Sequence, residues 1–188
     1  MLAAGYFVFS LFFSFITFVL WVRFALRYFR VSALHPVARV FYQLSDPVLL
    51  PMARIMRIPN TRQSRYDWTC FIALVIVEII KFLLTDWMFF ANHIPAIWLI
   101  LYPIADLIVH PLSLLFYAIL IRVVMSWINP AWRNPFSELL VIFTEPLLSP
   151  IRQRLPYLAG IDFSPFIVLV AIKMITVFIS VSMPMHLV

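Results

Sequence analysis

The chain has 188 residues, 64% of them hydrophobic and only 12% charged, with a mean hydropathy of +1.02; soluble domains carry about a quarter charged residues, so a water-soluble globule is excluded. The formal charge of +6 does not point to nucleic acid, because twelve of the fourteen basic residues are arginines set mostly beside apolar runs, where they suit phospholipid headgroups at the inner face of a membrane. A single cysteine, Cys70, excludes an internal disulfide, a CxxC pair and a cysteine zinc cluster, and the two glycines, Gly5 and Gly160, exclude a phosphate-cradling loop, a dinucleotide fingerprint and a GxxxG helix contact.

The first apolar run, YFVFSLFFSFITFVLWV at residues 6–22, has no Lys or Arg before it and is followed by Arg23, Arg27 and Arg30. It lacks the basic start of a secretory signal, and the positive-inside rule turns its N-terminus away from the cytoplasm. It reads as an uncleaved span over roughly residues 5–28. An arginine-rich stretch follows to residue 67, with Arg39, Arg54, Arg57, Arg62 and Arg65. The second span, roughly residues 69–90, contains FIALVIVEIIKFLL, which lacks the polar–apolar alternation of a barrel strand. Residues 86–110 contain no Lys or Arg and mark a non-cytoplasmic connection. Their apolar part, residues 94–105, is broken by Pro95, Pro103 and Asp106 and reads as interfacial or as an extension of a neighbouring span. A third span at about 111–128, a loop with Arg133, Arg152 and Arg154, and a fourth span at about 165–183 complete the chain. Four spans with both termini outside satisfy every loop charge.

The two halves correspond. Arg23 set over Arg122 gives an offset of 122 − 23 = 99, which also aligns His35-Pro36 with Asn134-Pro135, Asp46-Pro47 with Glu145-Pro146, and Pro51 with Pro150. After a four-residue difference in the loop, Asp67 falls on Asp162 and Glu78 on Lys173. The predicted fold is therefore an all-α membrane bundle of two tandem units, residues 1–92 and 93–188. Each unit holds two spans, an even number, so the copies share one orientation about an axis along the membrane normal.

Between the spans of each unit lies a proline-rich segment, SDPVLLPMARIMRIP or TEPLLSPIRQRLP. Asn134 and Pro135 make a good helix start, an asparagine cap with proline at the first position. Phe136, Leu139, Leu140 and Phe143 then form one apolar stripe, matched by Val37, Val40, Phe41 and Leu44. Glu145-Pro146 and Asp46-Pro47 read as the start of a second short helix, whose basic residues Arg152, Arg154, Arg54 and Arg57 lie toward its C-terminal end. Each segment is thus predicted to be an amphipathic interfacial helical hairpin, arginines toward phosphates. Asp162 and Ser164-Pro165 open the fourth span.

In order, RVVMSWINPAWRNPF, TEPLLSPIRQRLP and GIDFSPFIVLV resemble the YggT family, called YlmG in Gram-positive bacteria, with a degenerate copy in RFALRYF, SDPVLLPMARIMRIP and YDWTCFIALV. The likeness covers about residues 15–180 as two repeats; the first departs from the pattern at His35, Asp46 and the missing Ser-Pro. The resemblance implies a multi-pass protein of the bacterial inner membrane, linked to osmotic stress tolerance involving potassium and to cell-division gene neighbourhoods. Chloroplast relatives are linked to cytochrome b6 haem attachment and to thylakoid or nucleoid organisation. No catalytic residues come with it.

Chemistry concentrates inside the membrane. The only two lysines, Lys81 and Lys173, lie in spans, with Glu78 one turn from Lys81. Ionisable groups at that depth cost about 3 kcal/mol each and normally pair or mark a path, so Glu78, Lys81 and Lys173 are read either as structural ion pairs or as a charged centre on an ion path. Arg23 and Arg122, with Arg39, Arg54, Arg57, Arg152 and Arg154, are expected to meet headgroups or a partner at the cytoplasmic face. Asp67 and Asp162 are expected to satisfy helix N-termini. His35, His93, His110 and His186 are the only candidate haem or metal ligands; none is matched to a second ligand at helical spacing, and no cofactor or metal is expected. No nucleophile–base arrangement suggests an enzyme. The expected function is non-enzymatic: support of osmotic or potassium homeostasis, or organisation of membrane complexes. An ion channel or transporter and a haem-assembly factor are the alternatives.

Overall fold

The computed structural model describes residues 2–56, 67–90, 95–129, 134–154 and 162–183. Six α-helices carry them, with no strand among the described residues: α1 Leu2–Tyr28, α2 Pro36–Met56, α3 Trp68–Thr85, α4 Ala96–Ile128, α5 Pro135–Arg152 and α6 Ser164–Val181. A π-helical turn, Asp86–Phe90, extends α3. Four stretches are long and apolar enough to cross a membrane: Ala4–Tyr28, Trp68–Phe89, Ala96–Ile128 and Ser164–Val181. Their exposed faces are apolar, for instance Phe7, Leu11 and Phe15 on α1 and Phe166, Met174 and Phe178 on α6. A surface of that kind suits lipid tails rather than water.

The chain forms two compact units, one up to His110 and one from Pro111 onward. Residues 96–105 settle the open expectation for 94–105 as an extension of the third span, since α4 runs unbroken through Pro103 and Pro111. At 33 residues α4 is about 50 Å long, more than a bilayer core of about 30 Å requires.

In the first unit α1, α2 and α3 pack together around Leu20, Leu49, Cys70, Ala73 and Leu74, with Trp21, Phe24 and Leu107 against them. α1 ends in a Schellman turn: Val31 N–H reaches the Leu26 carbonyl at 2.9 Å and Arg30 N–H reaches that of Arg27 at 3.0 Å. Arg30 occupies the left-handed position with φ 56°, which costs a residue with a Cβ roughly 1–2 kcal/mol. In the second unit Ile119, Leu148, Val168 and Ile172 form the core, with Leu115, Phe116 and Ile151 packed on it.

The predicted hairpins are corrected. Each proline-rich segment is part of a single helix, α2 through Pro47 and Pro51, and α5 through Pro146 and Pro150. Asp46-Pro47 and Glu145-Pro146 start no helix, because their carboxylates are spent on an arginine of the preceding span. Arg23 Nη1 lies 2.5 Å from Asp46 Oδ1, 2.8 Å from Ser45 Oγ and 3.3 Å from the Tyr42 carbonyl. Arg122 repeats this at the matched residues, Nη1 to Thr144 Oγ1 at 2.7 Å and Nη2 to Glu145 Oε2 at 2.6 Å. The hydroxyls also donate backwards, Ser45 to the Phe41 carbonyl at 2.6 Å and Thr144 to that of Leu140 at 2.6 Å. Pro47 and Pro146 lack an N–H, so the carbonyls four residues back, those of Gln43 and Ile142, lose that helical donor, and the helix nonetheless continues through both prolines.

Each unit closes this clamp with the aspartate opening its next span. Asp67 Oδ1 accepts from Cys70 N–H at 3.2 Å and its Oδ2 from Arg27 Nη1 at 3.0 Å. Asp162 accepts from Ser164 N–H at 2.9 Å and from Arg152 Nε at 2.8 Å, while Arg152 Nη1 reaches Glu145 Oε1 at 2.9 Å. Burial on its own would raise the Glu145 carboxyl, but Arg122 and then Arg152 hold it below its ordinary value. Asp162 is lowered likewise, against burial, by its Ser164 hydrogen bonds and then by Arg152. Burial would lower Arg152, and Asp162 with Glu145 raises it instead.

Two outcomes follow. Arg23, 8% exposed, gives up its bonds to Asp46 and to the Ser45 oxygen when replaced by leucine; because the Asp46 side chain is 41% exposed, Arg23→Leu is expected to destabilise the purified protein by about 1–2 kcal/mol in denaturant titration, with Arg23→Lys recovering part. Because Glu145 and Asp162 are depressed in the folded chain, their contribution is fully present above the unfolded carboxylate value of about 4 and is lost as pH falls through the lower native values. Thermal unfolding is expected to show this acid limb, and Asp162→Asn to shrink it.

Candidate functional site

The densest collection of buried polar groups lies in the first unit, where α1, α3 and the first part of α4 meet. Helical spacing puts Glu78 and Lys81 one turn apart on α3, and Asp106 and His110 one turn apart on α4. Lys81 Nζ donates to Glu78 Oε2 at 3.1 Å and also to Asp106 Oδ2. Thr17 of α1 donates to the second Glu78 oxygen at 3.0 Å. His110 Nδ1 lies 2.9 Å from the Asp106 carbonyl; a carbonyl only accepts, so this nitrogen carries the hydrogen. The same Nδ1 is 3.9 Å from Glu78 Oε1 and 3.9 Å from Asp106 Oδ1.

Burial here is nearly complete: Glu78 is 0%, Asp106 1% and Lys81 7% exposed. The ammonium also sits 4.7 Å from the Phe82 ring centre, and Phe82 stacks on Tyr102 of α4 with centroids 5.4 Å apart. Thr85 donates to the Lys81 carbonyl at 2.7 Å, one turn before the π-helical turn begins. One atom is left over, since Asp106 Oδ1 is buried and has no hydrogen-bond partner.

The formal count is uneven: with Glu78 and Asp106 both ionised and His110 neutral, two carboxylates against one ammonium leave −2 + 1 = −1. Beside them is a cavity of about 100 Å³ whose polar wall is Ser10, Ser14, Lys81, Thr85, Asp106 and His110, with aromatic rings, Tyr6 among them, completing it. Ligand atoms of Glu78, Asp106 and His110 lie within 4.8 Å of one another, but Lys81 already holds an oxygen of each carboxylate, and the histidine nitrogen in the group is spent as a donor. Histidine ligation of a transition metal needs that lone pair free. A larger groove of about 630 Å³ lies in the second unit between the end of α4 and the start of α5. Of the polar groups on its wall, Arg122, Asn134 and Ser137 are committed to the clamp and to the cap of α5, and Ser126, Asn129 and Glu138 complete it.

Of the sequence-predicted centre, Glu78 and Lys81 come together, while Lys173 stands exposed on α6 in the second unit with no ion-pair partner among the described residues. The arginine expectations divide. Arg23, Arg122 and Arg152 turn inward to carboxylates, which corrects the headgroup reading for them, and Arg39, Arg54 and Arg154 are exposed. Arg57, His93 and His186 lie outside the described residues. Asn134 caps α5 as expected, its side chain accepting from Ser137 N–H at 2.7 Å in a capping box with Pro135 behind it. Ser164 and Pro165 open α6.

Sequence reading missed Asp106 and His110 as members of the centre. Their signal was present, an i, i+4 acid–histidine pair in an apolar run, and taking Asp106 as a break in that run hid it. The absence of a helically spaced second ligand for His110 is corrected accordingly.

A family model described as CCB3/YggT matches the chain over residues 2–88 and 96–183. The chain is 27% identical to the uncharacterized protein YggT of Escherichia coli K12 over 162 residues, 85% of this chain and 80% of the relative. It is 28% identical to an uncharacterized Pseudomonas aeruginosa protein over 82% of this chain and 77% of the relative. With an uncharacterized Haemophilus influenzae protein the identity is 32% over 80% of this chain and 77% of the relative. No solved structure matches.

Removing the ammonium strands two buried carboxylates. Lys81→Met is expected to cost about 3–5 kcal/mol in unfolding of the detergent-solubilised protein, and Lys81→Met combined with Glu78→Gln to cost less than Lys81→Met alone. A double variant no more stable than Lys81→Met would show that the lysine is not there to balance the carboxylates.

Proposed function

The chain belongs to the CCB3/YggT family, and we propose that it is a non-enzymatic protein of the bacterial inner membrane that supports osmotic and potassium homeostasis, with Glu78, Lys81, Asp106 and His110 as its ion-responsive element. One observation carries this reading: two carboxylates, Glu78 and Asp106, share a single ammonium, Lys81, all buried among spanning helices. Charge in such surroundings is expensive without a counter-charge, so the centre responds to the supply of cations. His110, with its side chain 24% exposed, stands at the edge of the centre where it meets the surface.

The proposed topology has both termini on the periplasmic side. It is supported by the arginines at the end of α1 and in α2 and α5, and by the lack of any Lys or Arg in residues 86–110. Two copies of one unit in the same orientation are supported by the two stretches that the family model matches and by the equivalent clamps at Arg23 and Arg122. Exposed Arg39, Arg54 and Arg154 suit anionic lipid headgroups, or a membrane-protein partner or second copy docking at that face. A transporter is the second reading, favoured by the polar cavity next to the centre; the path would run past Glu78 and Lys81.

In cells deleted for the gene, the native chain is expected to support growth at high external osmolarity, and the Asp106→Asn chain, at equal membrane abundance, to fail. Equal growth with both, or growth indifferent to the chain, overturns the reading. Potassium flux in liposomes that Lys81→Met alters would place the centre on a conduction path.

A further inference from the structure

We infer that the cavity walled by Ser10, Ser14, Thr85 and Asp106 is a binding site for one alkali-metal cation, an inference that rests on the ion-responsive role proposed above. The first support is the leftover atom. Asp106 is 1% exposed, its Oδ2 is held by Lys81, and its Oδ1 has no protein partner while the residue lines the cavity. A buried carboxylate oxygen without a partner is rare because it forgoes the bond that would compensate its desolvation.

The second support is the character of the other walls. Ser10 spends its hydroxyl hydrogen on the Phe7 carbonyl at 3.0 Å, and Thr85 spends its own on the Lys81 carbonyl at 2.7 Å. Both hydroxyls therefore face outward as acceptors only, and oxygen acceptors are the ligands that hard cations take. Ser14 adds a third hydroxyl to the wall, and the Phe9 ring a face that tolerates a cation.

Valence comes from the charge count. With both carboxylates ionised, Glu78, Asp106 and Lys81 sum to −1, which a monovalent ion brings to zero and a divalent ion overshoots. Lys81 holds Glu78 Oε2 and Asp106 Oδ2 and Thr17 holds Glu78 Oε1, so the added ion meets Asp106 Oδ1. Volume agrees: about 100 Å³ holds a cation with a few waters, each water taking roughly 30 Å³ of liquid.

The test uses the purified full chain in detergent, melted in potassium, sodium or N-methylglucamine chloride at equal ionic strength. Potassium or sodium is expected to raise the melting temperature above the bulky organic cation, with a saturating concentration dependence. Ser14→Ala, which leaves the Lys81 pairs untouched, should move half-saturation upward on the order of tenfold, and Asp106→Asn should abolish the alkali-specific increment. Identical melting in all three salts, or an unchanged half-saturation in Ser14→Ala, overturns the site. Failure here is separable from failure of the functional reading, because the growth test of Asp106→Asn does not depend on which cation fills the cavity.

Discussion

An arginine inside a helix bundle needs an anion within reach, and where Arg23 and Arg122 find theirs sets the course of everything after the first span of each unit. The guanidinium is always charged and presents a fixed fork of donors. Its partners must therefore arrive on a neighbouring element at a defined height. Asp46 and Glu145 do so from the middle of α2 and α5, one residue before a proline. The same contact anchors those helices next to each proline, with Ser45 and Thr144 sharing the guanidinium. Asp67 and Asp162 then tie the next span to neighbouring arginines, Arg27 and Arg152. One electrostatic demand thus determines the spacing of three helices, while the leucines and aromatics fill the space that it leaves.

The centre at Glu78 obeys the same demand with less to satisfy it. In the clamps, basic groups at least match the carboxylates: Arg23 and Arg27 face Asp46 and Asp67, and Arg122 and Arg152 face Glu145 and Asp162. At the centre a single ammonium faces two carboxylates, both buried more deeply than Glu145 or Asp162. Fold stability alone does not call for that arrangement, since an apolar trio of similar volume would pack without a desolvation penalty. The cation site inferred above would supply from outside the charge that this count leaves missing.

How far the sequence could be read depended on whether a residue's partner was local. The spans were legible because apolar length is a local property, and the cap at Asn134 because its Ser137 partner is three residues away. Asp67 and Asp162 as N-terminal acceptors were legible for the same reason. The hairpins were misread because Asp46-Pro47 and Glu145-Pro146 look like helix starts when only neighbours are considered. Their real partners lie 23 residues earlier, on another helix. The headgroup reading of Arg23 and Arg122 failed with them, since one long-range contact decides both. Lys81 was matched to Glu78 at i+3, but Asp106, 25 residues on, arrives only through the packing of α4 on α3.

Read as two copies, the halves keep the clamp and diverge at the centre. At the position matched to Glu78 the second unit has Lys173, and the spanning part of α4 after His110 and the whole of α6 carry no Asp or Glu. No second centre of the same kind can be assembled from those helices. The arginine clamp occurs in both units, whereas the cluster of Glu78, Lys81 and Asp106 occurs in the first. On the reading proposed above, the ion-responsive element therefore belongs to the first unit alone, and the contact that both units keep, an arginine on the carboxylate ahead of a proline, is the one their helices need in order to pack.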